Sequence, residues 1–448
     1  MRNLKKTMAM LLSLVMVGTA FAGCGDDKDS SAATTTTGDG GVTTTSAPAE
    51  GVTVEPDTGK VLTIYCWNDE FKTRFEKFYT VPEGITVNWV ITPSEGNQYQ
   101  NKLDSDLMNP TSEPIDIFLM EADYAKKYVN SNFSLDVTSI GITAADTANM
   151  YDYTKEACTD ASGALKGLSW QGCPGLFIYR RSIATAVFGT DDPTEIQAKV
   201  ADMATFEATA AELKAAGYYM LGSYDDSYRV YSNNVSAPWV DENKKIVIDD
   251  KLMEWVDDMK EFTDNGYNQK DALWGETWGT GFTPTGTVFG YFGPGWFIDF
   301  CMGDTTVGDW AACEGPAAYT WGGTWIAAAN GTDNPNLVAD VMKQLTCNQE
   351  TLLSIVDEYG DFVNNQPAMD EVAVSDYANT MLGGQNHIAL FAASASNASL
   401  ANISAYDQGL NEKFQLAMHD YFAGTVTKDE AIENFYTIVL ALYPALSR

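Results

Sequence analysis

Lys60-Val61-Leu62-Thr63-Ile64-Tyr65-Cys66-Trp67 alternates in polarity and is rich in β-branched residues, and the residues after it, Asp69 to Tyr79, set Phe71, Phe75 and Phe78 on one helical face. The pair predicts a strand feeding a helix. Ile85 to Ile91 reads as a second strand, Asn97 to Met108 as a helix, Ile115 to Met120 as a buried strand and Ala122 to Val129 as a helix. Alternation of this kind implies βαβ units and a mainly parallel sheet. Further along, Leu176 to Arg180, Thr287 to Phe292 and Trp325 to Ala329 read as strands. Phe206, Ala210 and Leu213 mark a helix that stops at Gly217, and Leu252, Trp255, Val256, Met259 and Phe262 mark another that stops at Gly266. From Asn336 onward the pattern is nearly all helical, and no repeat of 20–50 residues is present. Two α/β lobes fit a chain of 448 residues better than one sheet, with chain crossings expected near Ser169 and Thr320.

Composition narrows the function. Asp plus Glu total 61 against 27 Lys plus Arg, a formal charge of −34. So acidic a surface repels phosphate backbones and anionic lipid headgroups, which excludes nucleic-acid partners and polybasic membrane docking. Only two histidines occur, His387 and His419, so no multi-histidine metal site can be assembled; both sit in helical surroundings and read as structural. No metal or cofactor is expected. Arg2, Lys5 and Lys6 precede an apolar run from Met8 to Ala22, the layout of a secretory signal. The run is too short for a comfortable membrane span, and no later stretch is long and apolar enough for one. Gly25 to Lys60 has no aromatic residue and is rich in Thr, Ser, Gly and Asp, so it is expected to be a disordered tether reaching about 30–36 Å. Six cysteines follow it: Cys66, Cys158, Cys173, Cys301, Cys313 and Cys347. Local disulfides Cys158–Cys173 and Cys301–Cys313 and buried free thiols are equally good readings.

The end of the leader, Phe21-Ala22-Gly23-Cys24, resembles the lipobox of bacterial lipoproteins, with Phe21 where leucine is usual. That resemblance implies a lipid on Cys24 and an extracytoplasmic protein anchored to the outer face of the cell membrane. Four later segments, in order, resemble the carbohydrate-binding solute receptors of bacterial ABC importers, the maltose-binding-protein-like group. They are Leu62 to Asn68, with the aromatic–polar loop at its end; Lys166-Gly167-Leu168-Ser169-Trp170-Gln171 followed by Gly175 to Arg180, like the first interlobe crossing; Gly290-Tyr291-Phe292-Gly293-Pro294-Gly295-Trp296; and Trp321-Gly322-Gly323-Thr324-Trp325-Ile326, like the return strand. Where the family usually has proline-alanine after its late glycine, this chain runs Gly360-Asp361-Phe362-Val363-Asn364. The resemblance implies an α/β two-lobe, periplasmic-binding-protein-like fold with interlobe hinge strands and a mostly helical C-terminal part. Its expected divisions are 1–23 as signal peptide, 24–60 as lipidated cysteine and linker, 61–169 plus about 320–365 as one lobe, and 170–319 plus about 366–448 as the other. It implies a monomer that closes on an oligosaccharide and hands it to separate permease subunits; no phosphate-binding G-x-x-x-x-G-K-[ST] is present.

The residues suit a sugar. An indole covers the C–H face of a pyranose, and carboxylates or amides satisfy hydroxyls that both donate and accept. Candidates are Trp67, Asn68 and Glu70 after the first strand; Glu121 after the buried strand; Trp170 and Gln171 at the first crossing; Tyr291 and Trp296 around Gly-Pro-Gly; Trp321 and Trp325 around the double glycine; and Asp361 and Asn364 after the late glycine. Trp255 and Trp89 read as core, and Trp239 and Trp310 lean that way. Glu70 and Glu121 could equally be carboxylates favouring a helix start. No catalytic residue is assigned. A glycoside hydrolase, needing two facing carboxylates, and an adhesive surface lipoprotein stay open as alternatives.

Overall fold

The computed structural model describes residues 53–110 and 113–448, so the leader and Cys24 lie outside the described residues. Eight strands form two sheets among them: β1 (Val61–Cys66), β2 (Thr86–Ile91), β3 (Ile117–Glu121), β4 (Leu168–Ser169), β5 (Leu176–Arg180), β6 (Gly290–Gly293), β7 (Trp310–Cys313) and β8 (Thr324–Ala328). The first sheet has the order β2-β1-β3-β8-β4 and the second β6-β5-β7. β1 runs parallel to β2 and β3, as strand–helix alternation predicts. The expectation of a mainly parallel arrangement fails beyond those strands. β8 is antiparallel to β3 and β4, and the second sheet is wholly antiparallel. The cause is topological. Ser169 ends β4, the last strand before the chain leaves the first sheet, and pairs with Trp325 near the start of β8. The chain leaves and re-enters the first sheet at the same edge, so the returning strand must run the other way.

Two apolar clusters form: one covers the first sheet and continues onto one face of the second, and the other covers the opposite face of the second sheet. The helix Glu70–Phe78 buries Phe71 and Phe75. The Phe71 ring stacks on Trp170 at 5.5 Å, and Trp89 meets Phe75 edge-on at 5.3 Å. In the second body the helix Asp250–Asn265 begins at Asp249, whose side chain accepts from the Lys251 N–H, and ends at Gly266 with φ +70°. Glycine suits that left-handed stop because it has no Cβ to clash. Its buried stripe, Trp255 included, meets the helix Asp407–Phe422, and the pair of helices Asp407–Phe422 and Lys428–Leu442 closes the chain. Trp239 and Trp310 are also interior, with indole N–H groups donating to Asn411 Oδ1 and Thr306 Oγ1.

Three chain segments link the sheets and lie side by side. Gln171 bridges Val363 and Pro174 bridges Thr320. The Asn364 N–H donates to Trp170 O at 2.7 Å, and the Trp321 N–H to Cys173 O at 3.1 Å. All six described cysteines are free thiols; five are buried, and burial raises their pKa values. One expectation about the tether needs correcting. Its last residues are tied down: Asp57 accepts from the N–H groups of Asn336 and Leu337 at the start of the helix Pro335–Thr346, and the Thr58 N–H donates to Asp333 O. An acidic side chain on a helix N-terminus gains both hydrogen bonds and the dipole, which orders a segment with little apolar surface of its own.

Candidate functional site

The strand ends meet at a cleft between the two sheets, with a volume of about 690 Å³. Of the residues named from sequence, Trp67, Asn68, Glu70, Glu121 and Gln171 line it, as do Trp296, Trp321 and Asp361. One wall is polar and comes from the first sheet. Glu70 opens the helix Glu70–Phe78, and Arg74 lies one turn on. The Arg74 guanidinium donates from Nε and Nη2 to the two carboxylate oxygens of Asp361 at 2.8 and 2.9 Å, and pairs with Glu70 at 3.5 Å. It also lies 4.4 Å from the Tyr359 ring centre. Gln171 donates from Nε2 to Glu70 at 2.7 Å and accepts the Thr324 N–H at 3.2 Å. One side chain thereby joins the first crossing, the return strand and the cleft acid.

Burial pushes the Glu70 carboxyl up to about 7, offset by Arg74, with Asp361 adding to the rise and the Gln171 hydrogen bond opposing it. Glu121 is also raised, by burial first and then by the neighbouring Asp123 charge, with Arg229 opposing. Its Oε2 accepts the Asp123 N–H at 2.8 Å. Arg229 comes from the second body and clasps the Asp123 carboxylate with two bonds of 2.7 and 2.6 Å, so an ion pair spans the two bodies beside the cleft.

The opposite wall is aromatic. Trp296 follows the Gly293-Pro294-Gly295 turn and donates its indole N–H to Trp321 O at 3.1 Å. The two rings meet at 5.0 Å and 68°. Trp274, 6.1 Å from Trp321, is half exposed and has φ +66°. A bulky residue in that region is strained. The loop over-determines it: Asp271 accepts the N–H groups of Ala272, Thr277 and Trp278, Asp225 accepts that of Leu273, and Asp226 accepts the Trp278 indole N–H. Phe300 stands beside Trp274 and is 71% exposed.

Four of the named residues are not in the cleft. Trp170 and Trp325 are buried in the first sheet's core, Trp170 against Phe71 and Trp325 with its N–H on Thr154 O. Tyr291 is buried in mid-strand, its hydroxyl donating to Trp278 O. Asn364 fastens the crossing: Nδ2 donates to Ser169 O, and Oδ1 accepts from the Tyr151 N–H and the Thr154 hydroxyl. Their polar atoms are spent or, for Trp170, sealed from solvent. Sequence reasoning missed Arg74, Trp274, Asp299, Phe300, Glu358 and Tyr359. Two had a signal: Arg74 in its i,i+4 spacing from Glu70, and Trp274 in its place among the six tryptophans between Trp274 and Trp325. His387 is buried, which lowers its pKa to about 4, and His419 contacts Asp225 at 2.7 Å; neither lines the cleft. No group of ligands suited to a metal is found among the described residues.

Two sheets joined by crossing segments around a lined cleft define a two-lobe receptor for a solute. Residues 71–381 match the family model described as bacterial extracellular solute-binding protein, and the chain belongs to that family. No curated protein matches this sequence. Among solved structures the chain is similar to an extracellular solute-binding protein of family 1, at 19% identity and a TM-score of 0.72, covering 85% of this chain and 98% of that one. It is also similar to the GacH receptor of Streptomyces glaucescens, solved unliganded and with acarbose, at 16% identity, a TM-score of 0.65 and coverages of 86% and 99%. The galacto-N-biose/lacto-N-biose I-binding protein of a Bifidobacterium longum ABC transporter, solved with lacto-N-biose, is similar at 16% identity, a TM-score of 0.65 and coverages of 87% and 100%.

Proposed function

We propose that this protein is the receptor of an ABC importer for a carbohydrate, an oligosaccharide rather than a single sugar. The observation that carries the reading is the pairing of three indoles, Trp274, Trp296 and Trp321, with Glu70, Glu121 and Asp361 in one cleft of about 690 Å³. Stacked rings cover the apolar faces of pyranoses, and the acids hold their hydroxyls. The solved relatives that hold acarbose and lacto-N-biose support this choice of solute. The solute is held without being altered. It touches both walls only when the lobes, 61–169 plus about 320–365 and 170–319 plus about 366–448, are closed, so it shifts the population toward that form. Separate permease subunits then take the solute from the closed receptor. The receptor works as a monomer, tethered outside the cytoplasm by lipid on Cys24.

Calorimetry and thermal shift with a panel of oligosaccharides test the proposal. Saturable binding with a raised melting temperature is expected. Turnover of any member by the purified protein makes it a hydrolase instead, and a panel without a single binder removes the carbohydrate.

A further inference from the structure

We propose that the solute is a saccharide bearing a protonated amine, and that the cleft excludes saccharides bearing carboxylate or phosphate. This rests on the carbohydrate reading above and adds the sign of the ligand's charge.

The walls hold five acids, Glu70, Glu121, Asp299, Glu358 and Asp361, and one guanidinium, Arg74; Glu358 is already paired with Lys77. Arg74 is already committed: it forks onto Asp361, pairs with Glu70 and lies over the Tyr359 ring. A sugar carboxylate would find no unspent cation among the described residues of the cleft. Its own charge would be left unpaired in a partly buried site, which is costly. Glu121 is the floor of this arrangement. Its carboxylate accepts the backbone N–H groups of Asp123 and Ala122, and it forms no ion pair among the described residues, because Arg229 turns both terminal nitrogens to Asp123. A side chain at Gly322 would lie between Glu121 Oε1 and the Trp296 indole, so carboxylate and ring face the same space.

The aromatic wall acts with the same sign. Indole faces attract a cation and repel an anion through their quadrupole. Trp67, Trp274, Trp296 and Trp321 present four such rings to the cavity. The chain as a whole, at −34, adds a field that gathers cations and disperses anions before contact. Carboxylates, rings and net charge therefore agree, and a neutral sugar uses only part of what the site offers. The acids at the floor also take up an ammonium by losing a proton, since burial holds Glu70 at about 7 and raises Glu121.

The test is a calorimetric panel of neutral, amine-bearing and uronate oligosaccharides on the full-length protein. Amine-bearing members should bind at least tenfold tighter than their neutral counterparts, and uronates should not bind. Binding of the amine should release protons, read as a heat that changes with the ionisation enthalpy of the buffer. Uronates that bind as well as neutral sugars, or neutral sugars that match the amines, overturn the inference and leave the carbohydrate reading intact. A panel in which nothing binds removes both. Glu121→Gln separates charge from shape: affinity for the amine should fall at least tenfold further than affinity for its neutral counterpart. Equal losses for both would show that Glu121 acts by fit alone.

Discussion

The two walls of the cleft are built by different physics. The wall from the first sheet is a charged lattice in which Glu70, Arg74, Asp361 and Gln171 bind one another and the crossing segments. The wall from the second sheet is a set of rings, one of them on a strained backbone that three aspartates hold in place. The comparison teaches that polar recognition here is rigid because its groups are mutually satisfied, whereas stacking is supplied by rings with open faces. Removing a polar group should therefore damage the fold, and removing a ring should damage binding.

The sharpest break is Arg74→Ala. It strands Glu70 and Asp361 without their cation and should cost about 3–5 kcal/mol of unfolding free energy, measured by urea titration of the unliganded protein. Trp325→Ala, behind the same wall, should cost a similar 3–5 kcal/mol because it empties a packed site. Trp296→Ala tests the other side. Ligand affinity should fall by about 2 kcal/mol, with the unliganded melting temperature nearly unchanged; a large loss of stability with intact affinity would place Trp296 with the core. Trp274→Gly sharpens the contrast further. Relief of the left-handed strain should stabilise the unliganded protein by about 1 kcal/mol, while binding weakens.

The smallest effect concerns pH and touches both walls. Glu70 in the polar wall and Asp226 beneath the aromatic one are each raised to about 7, as is Asp407. Between the ordinary carboxylate range and about 7 the folded protein keeps protons that the unfolded chain has lost. Stability is therefore present at low pH and is lost as pH rises through about 7. His387, lowered to about 4, opposes this below its ordinary 6.5. The melting temperature of the unliganded protein should fall by a few degrees from pH 6 to pH 8, and Asp226→Asn should flatten the slope; a melting temperature that climbs over that range would refute the assignment.

The sequence already held much of this arrangement. Strand–helix alternation placed the ends of β1 and β3, and with them Trp67, Glu70 and Glu121, at a common edge. The misplaced residues show where pattern runs out. Trp170 and Gln171 are adjacent in an extended crossing, so their side chains must point to opposite faces. Composition cannot say which one faces the cleft. The structure gives that face to Gln171, since Trp170 is needed to stack on Phe71. Tyr291 lies inside β6, whereas Trp296 lies beyond its end, and only the latter is free to reach the cavity. Asn364 looked like a ligand amide because nothing local reveals that it spans from Ser169 to Tyr151. Trp274 stands in a run of tryptophans, but its direction depends on a left-handed φ fixed by Asp225 and Asp271, which are distant or backward contacts. The reversal of β8 follows from where the chain re-enters, a property of the whole path and not of any window of residues.

The fastening of Asp57 to the start of the helix Pro335–Thr346 has a mechanical consequence. The amino-terminal end of the described chain is thereby fixed to the body that carries the parallel strands. A pull applied there reaches the ring-bearing body only by way of its neighbour, through the three crossings, the shared apolar cluster and the Asp123–Arg229 ion pair.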